Sequence, residues 1–208
     1  MGHIERVKRK VAQLLGVLGR ASAVLGGRSL LSLYNGLVLP HLQYCLMLWG
    51  DFEGDGNSVI AGPLLRYQKR FAGLVAGRRG LYHADPLLAE HGMVKVGDLY
   101  RQQLRVHAWR FWNGRLPASQ AAMLSRAGDV HGHGTRAARA GLYLSTRDHR
   151  SVGYRVPKEW DSLTDGLRGL ASLGGFKRQS RGGSWRGMGD LCVLTGGAMC
   201  VLRGRRGV

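Results

Sequence analysis

From residue 4 to residue 18 the apolar positions are Ile4, Val7, Val11, Leu14 and Leu18, alternately three and four apart. That spacing predicts an amphipathic helix with one buried stripe, and Arg6, Arg9, Lys10 and Gln13 lie off it. Gly26-Gly27 interrupts the pattern, and Ser29 is placed to cap the run that follows. That run, LLSLYNGLVLPHLQYCLMLWG, occupies residues 30–50. Leu30, Leu33, Tyr34, Leu37 and Val38 repeat at helical spacing, and Leu42, Cys45, Leu46 and Trp49 continue a stripe. Pro40 lacks the N–H that a helix interior needs and should kink or divide the helix. The run is long enough to span a bilayer, but Asn35, Pro40, His41 and Gln43 interrupt it. It reads as a buried helical wall, not a membrane anchor.

Further along, DFEGDGNS at 51–58 is an acidic, glycine-rich segment without calcium-loop spacing, and it reads as a solvated turn. A third helix is expected from Pro63 to Ala76, with Leu64, Tyr67, Phe71, Leu74 and Val75 on one face and Arg66, Lys69 and Arg70 on the other. ADPLLAEHG is a short helix, with Asp85 as N-cap, Pro86 in the first turn and Gly92 as the stop. Another amphipathic helix runs from Val96 to Asn113. Its apolar face holds Leu99, Tyr100, Leu104, His107 and Phe111, while Arg101, Arg105, Trp109 and Trp112 project the other way. Those tryptophans could stack on bases, but large aromatics are usually packed against a second element. Pro117 opens a small helix reaching Leu124. GLYLST and SVGYRV carry strand-like residues, which leaves room for a short β-hairpin within 142–156. PKEWDSLTDGLRGL and SLGGFKRQSR are last amphipathic segments, and the glycine-rich stretch 182–208 has no clean period.

Charge changes the picture most. Lysine and arginine number 31 against 13 acidic residues, a net charge of +18 with a pI near 11.0. Such a surplus calls for an anionic partner, nucleic acid before any other. With 44% hydrophobic residues the chain can still bury a core. Cys45, Cys192 and Cys200 are odd in number and far apart, which suits a reducing, intracellular compartment, nucleus or cytoplasm, better than a disulfide framework. His131, His133 and His149 lack a matching cysteine or carboxylate pattern, as does the Cys192–Cys200 pair, so neither makes a metal site. The start of the chain is no clean signal peptide, and Arg6 stands where a myristoylation signal wants Ser or Thr.

The order of several short pieces carries a resemblance. These are His3-Ile4, then Leu33-Tyr34 with Pro40-His41-Leu42, Tyr44-Cys45 and Trp49-Gly50, then Gln68-Lys69-Arg70, Thr135-Arg136, Tyr154 with Trp160, and Phe176-Lys177. Over residues 3–181 the chain resembles the C-terminal part of reverse transcriptases from non-LTR (LINE-type) retrotransposons. Asp161 departs from the asparagine frequent after that tryptophan, and Leu163-Thr164 stands in place of Leu-Pro. The resemblance implies an RNA-directed DNA polymerase whose fingers and palm lie upstream of His3. The chain itself would be the helical thumb and the linker behind it. The parent enzyme would need magnesium ions (Mg2+) held by a pair of adjacent palm aspartates. No Asp-Asp occurs in this sequence, so the chain alone is expected to be no enzyme and to need no cofactor.

The expectations are therefore specific. The fold is mainly α, a helical bundle with a short hairpin near 142–156 and a disordered basic tail. Residues 3–115 form a thumb-like domain, 116–181 a linker region with short helices, and 182–208 the tail. The partners are an RNA–DNA or DNA duplex and the missing palm and fingers, with no membrane. The residues expected to touch phosphates are Arg66, Lys69, Arg70, Arg78, Arg79, Lys177, Arg178 and Arg181. The competing readings are a generic basic nucleic-acid-binding protein and the inactive relic of a truncated element.

Overall fold

The computed structural model describes residues 2–50, 60–78, 84–130, 141–144, 148–149 and 151–180. The expected disordered tail at 182–208 lies outside them, as do the acidic segment 51–58, Thr135-Arg136 and two of the expected phosphate contacts, Arg79 and Arg181.

The described residues are mostly helical, as the hydrophobic periods predict. Helix α1, His3–Ala21, buries Val7, Val11 and Leu18. It closes at Ser22, whose hydroxyl donates to the Gly19 carbonyl. Helix α2, Gly27–Leu33, starts two residues before the expected cap, with Gly26 rather than Ser29 in the N-cap position. Packing decides this: a Cβ on Gly27 would stand 2.3 Å from the Val75 carbonyl oxygen, so only glycine lets these backbones meet there.

The long run does divide at its proline, but over several residues. Tyr34–Val38 is a π-helical stretch, followed by α3, Leu39–Gln43, and α4, Leu46–Trp49. Pro40 would drive its ring into the Gly36 carbonyl and cannot bond it, and the wide turn just before it relieves both problems. The buried residues here, Leu30, Tyr34, Val38, Leu42 and Leu46, recur every four positions. In a regular α-helix that period drifts by about 40° at each step. The wide π turn and the corner at Tyr44–Cys45 keep the residues facing the core. Cys45 therefore leaves the predicted stripe: it sits exposed at the corner with φ 51°, a left-handed conformation that costs a non-glycine residue about 1 kcal/mol. Gln103 holds that corner, donating through Nε2 to the Gln43 carbonyl at 2.9 Å while Oε1 accepts from the Met47 N–H.

Helix α5, Ala61–Val75, packs against α1, α2 and the next helix. It ends at Gly77, φ 64°, where the Arg78 N–H reaches back to the Gly73 carbonyl at 2.9 Å. Helix α6, Ala84–Glu90, contains Asp85 in its first turn, so the aspartate does not serve as the expected N-cap. Its carboxylate instead bridges Lys69 at 3.1 Å and Lys95 at 2.9 Å, and those two ammonium groups hold it below the usual carboxylate range. The stop at Gly92 stands as predicted, with φ 63°.

Helix α7, Val96–Trp112, is the central post. The face that carries Trp109 does not project into solvent. It is covered by α10, Val152–Asp161, and α12, Leu173–Gln179, while short α8, Ala118–Ala121, α9, Ala127–Val130, and α11, Asp165–Arg168, complete the chain. The hairpin expectation fails at SVGYRV, which forms the start of α10. In α10 Val152, Val156 and Trp160, four apart, all turn towards the core, and the packing of this segment along α7 keeps it helical. Among the described residues there is no strand, only an antiparallel bridge between Arg126 and Leu142. One apolar core includes residues from α1 through α12, Phe176 and Trp160 among them. Among the described residues no helix is long and apolar enough to cross a membrane.

Candidate nucleic-acid interface

Helix α5 presents two different faces. Leu64, Gln68, Phe71, Ala72 and Val75 are buried, and Arg66 and Arg70 are exposed on the other side. The two arginines are one helical turn apart, about 6 Å along the axis. Neither has an acidic partner among the described residues. Arg78 follows in solvent just beyond the helix end. Lys69 shares their side of the helix but is committed to Asp85, with its side chain 27% exposed. Of the residues expected to touch phosphate, the structure thus aligns Arg66, Arg70 and Arg78 on one helix and its exit.

Lys177 and Arg178 belong elsewhere. They lie on α12, which packs on α7 and α11. Lys177 is half-buried, and Arg178 is exposed, its guanidinium lying back along Gly174. Ser172 fixes the start of this helix by accepting from the Gly175 N–H at 3.1 Å.

Beneath the α5 cations sits a residue the stripe analysis missed. Gln68 is fully buried, and its amide donates to the Tyr34 hydroxyl at 2.9 Å and to the Val94 carbonyl at 2.7 Å. Its Oε1 accepts from the Val96 N–H at 2.8 Å. One amide thereby ties α5 to the π-helical stretch and to the entrance of α7, and fixes the direction in which Arg66 and Arg70 face. Burial pushes the Tyr34 hydroxyl up to about 12, a shift that the Gln68 hydrogen bond partly opposes. The sequence did contain a signal: Gln68 stands four residues after Leu64 and three before Phe71, a polar residue in an apolar stripe.

Around α7 the arginines behave differently. Arg155 is buried, donates to the Gly50 and His149 carbonyls, and lies 5.8 Å from the Tyr100 ring centre. Arg105 pairs with Glu159 at 2.9 Å and donates to the Ser180 carbonyl at 3.0 Å. Arg126 covers the Trp112 ring at 5.0 Å and Arg115 the Trp109 ring at 5.2 Å. Arg168 donates to the carbonyls of Trp160 and Asp161. Trp109 is wholly buried and its indole N–H donates to the Leu170 carbonyl at 2.8 Å. Trp112 is half-buried with its ring 5.6 Å from Trp160. Packing has taken both tryptophans, so neither offers a free platform for a base.

Among the described residues no three His, Cys, Asp or Glu side chains converge as metal ligands. No family model matches the chain, and no curated protein or solved structure is significantly similar to it.

Proposed function

We propose that this chain is a helical nucleic-acid-gripping module, corresponding to the thumb and following linker of a non-LTR retrotransposon reverse transcriptase. It holds an RNA–DNA or DNA duplex by its phosphates and does not read bases. The catalytic palm and its magnesium belong to a parent polymerase, and this chain has no polymerase activity of its own. The observation that carries the reading is the set of exposed cations on α5 and its exit, Arg66, Arg70 and Arg78, which meet no acidic residue among those described. They stand on a chain with a net charge of +18. Phosphate contacts of this kind position a duplex without selecting its sequence. The family assignment rests on the order of short motifs alone. Tyr34 and Gln68, two of the residues that carry it, meet in one buried hydrogen bond.

Fluorescence anisotropy with labelled RNA–DNA and DNA duplexes of two unrelated sequences tests the reading. Affinity should fall steeply from 50 to 200 mM salt, with a log–log slope of about −0.9 for each phosphate neutralised on DNA. The two sequences should bind within a factor of about three of each other. A flat salt dependence, or no binding at low salt, overturns it. Primer extension by the isolated chain with magnesium should give no product.

A further inference from the structure

The turn between α1 and α2 carries the most exposed large apolar side chain among the described residues. Val24 at its tip is 88% exposed and Leu25 is 37% exposed, although both are apolar. The turn itself is well bonded: the Val24 and Leu25 N–H groups both reach the Ala21 carbonyl, at 3.0 and 2.8 Å. The two apolar side chains are therefore held outward by a fixed backbone. Arg20 precedes them in the chain, its guanidinium beside Gly16 of α1, and Arg28 follows them; both are exposed and without an acidic partner among the described residues. The close approach of Gly27 to the Val75 carbonyl then sets this turn against the end of α5, the end from which Arg78 emerges three residues later. An apolar tip between cations suits a nucleic-acid backbone, whose sugars offer apolar faces between charged phosphates.

Resting on the function proposed above, we infer that the α1–α2 turn is a second contact point for the duplex: Arg20, Arg28 and Arg78 meet phosphates while Val24 and Leu25 press on the sugar edge. The contact surface then runs continuously from Arg66 and Arg70 along α5 to this corner. It includes two arginines, Arg20 and Arg28, on helices other than α5.

The test compares variants of the full chain by anisotropy on a DNA duplex across a salt series, with thermal melting as the folding control. Arg20→Gln/Arg28→Gln should flatten the log–log slope by about 2 and weaken binding at least tenfold at 100 mM salt. Arg20→Lys/Arg28→Lys should keep the slope, because lysine also neutralises phosphate. Val24→Ser should weaken binding severalfold with the slope unchanged. If Arg66→Gln/Arg70→Gln flattens the slope but Arg20→Gln/Arg28→Gln does not, the corner makes no contact and this inference fails alone. If the unaltered chain shows no salt-dependent binding, the parent reading fails with it. Vesicles rich in phosphatidylserine form the last arm. Vesicle binding that Val24→Ser abolishes, with duplex affinity untouched, would assign the turn to a membrane surface and overturn the inference.

Discussion

On the outer face of α5, Arg66 and Arg70 stand in solvent with nothing acidic beside them among the described residues, whereas several arginines around α7 are engaged by the fold. Arg155 is buried on two backbone carbonyls, Arg105 bridges Glu159 and Ser180, and Arg126 and Arg115 lie over tryptophan rings. The same residue type serves two purposes within one chain. A guanidinium carries five donors in a planar fork, so it can satisfy several carbonyls at a crowded helix junction as readily as it can grip a phosphate. The net charge of +18 therefore overstates the free cationic surface. On this contrast, substitutions of the engaged arginines around α7 cost stability, and substitutions of the free ones on α5 cost binding.

The largest effect is expected at Arg155. Replacing it with methionine leaves the Gly50 and His149 carbonyls without that donor and removes the cation from the Tyr100 face. Together these should cost about 3–5 kcal/mol. Chemical denaturation followed by circular dichroism would read it. A loss below about 1 kcal/mol would place Arg155 with the surface cations and dissolve the contrast.

His107 sharpens the comparison from the same side. It is buried on α7 with no hydrogen-bond partner for Nε2 among the described residues, and burial, aided by the nearby Arg110 charge, lowers its pKa from 6.5 to about 4. The folded state holds it neutral, while the unfolded chain takes up a proton below 6.5. Its contribution is thus complete above pH 6.5 and is lost as the pH falls towards 4, a loss on the order of 3 kcal/mol. Denaturation midpoints measured from pH 7 to pH 4 should fall, and His107→Leu should flatten that fall. An unchanged slope in the variant would show that other groups set the acid sensitivity.

How much of this contrast is legible in the sequence depends on the kind of residue. Apolar spacing announced α1, α5 and α7 because a stripe at period 3.6 has few other uses. The fate of each arginine was not legible, because it is set by contacts across long separations, such as Arg155 with Gly50 and Arg105 with Ser180. The same holds for Trp109, whose partner is the Leu170 carbonyl. SVGYRV misled because β-branched and aromatic residues favour strands only when a neighbouring strand is there to pair with. Here the packing of Val156 and Trp160 on α7 favours a helix instead. Pro40 signalled a break but not its form. The π-helical stretch and the left-handed Cys45 follow from the core's demand that Leu30, Tyr34, Val38, Leu42 and Leu46 all face inward.

A smaller effect is expected at Arg105, whose side chain is only 25% exposed but whose pair still meets solvent. Arg105→Gln removes the pair with Glu159 and the bond to Ser180 and should cost about 1 kcal/mol, because solvent screens the pair. A double substitution with Glu159→Gln measures the coupling directly, and a value near zero would mean that the Ser180 bond carries the cost.

The smallest change in stability is expected where the binding change is large. Among the described residues Arg66→Gln/Arg70→Gln touches no buried group and no ion pair, so the midpoint of unfolding should move by no more than about 0.5 kcal/mol. On a DNA duplex the same double variant should flatten the salt slope by about 2, since two phosphates keep their counterions. Lys69→Gln is the internal control. Lys69 lies one turn from Arg66 but already pairs with Asp85, so its loss should show as a small drop in stability and little change in slope. If all three substitutions change the slope equally, Asp85 does not hold Lys69 in solution, and α5 is a uniform basic face on which helix position alone decides contact. If Lys69→Gln leaves the slope unchanged while the arginine pair flattens it, prior engagement by the fold, not charge alone, decides which cations reach the phosphates.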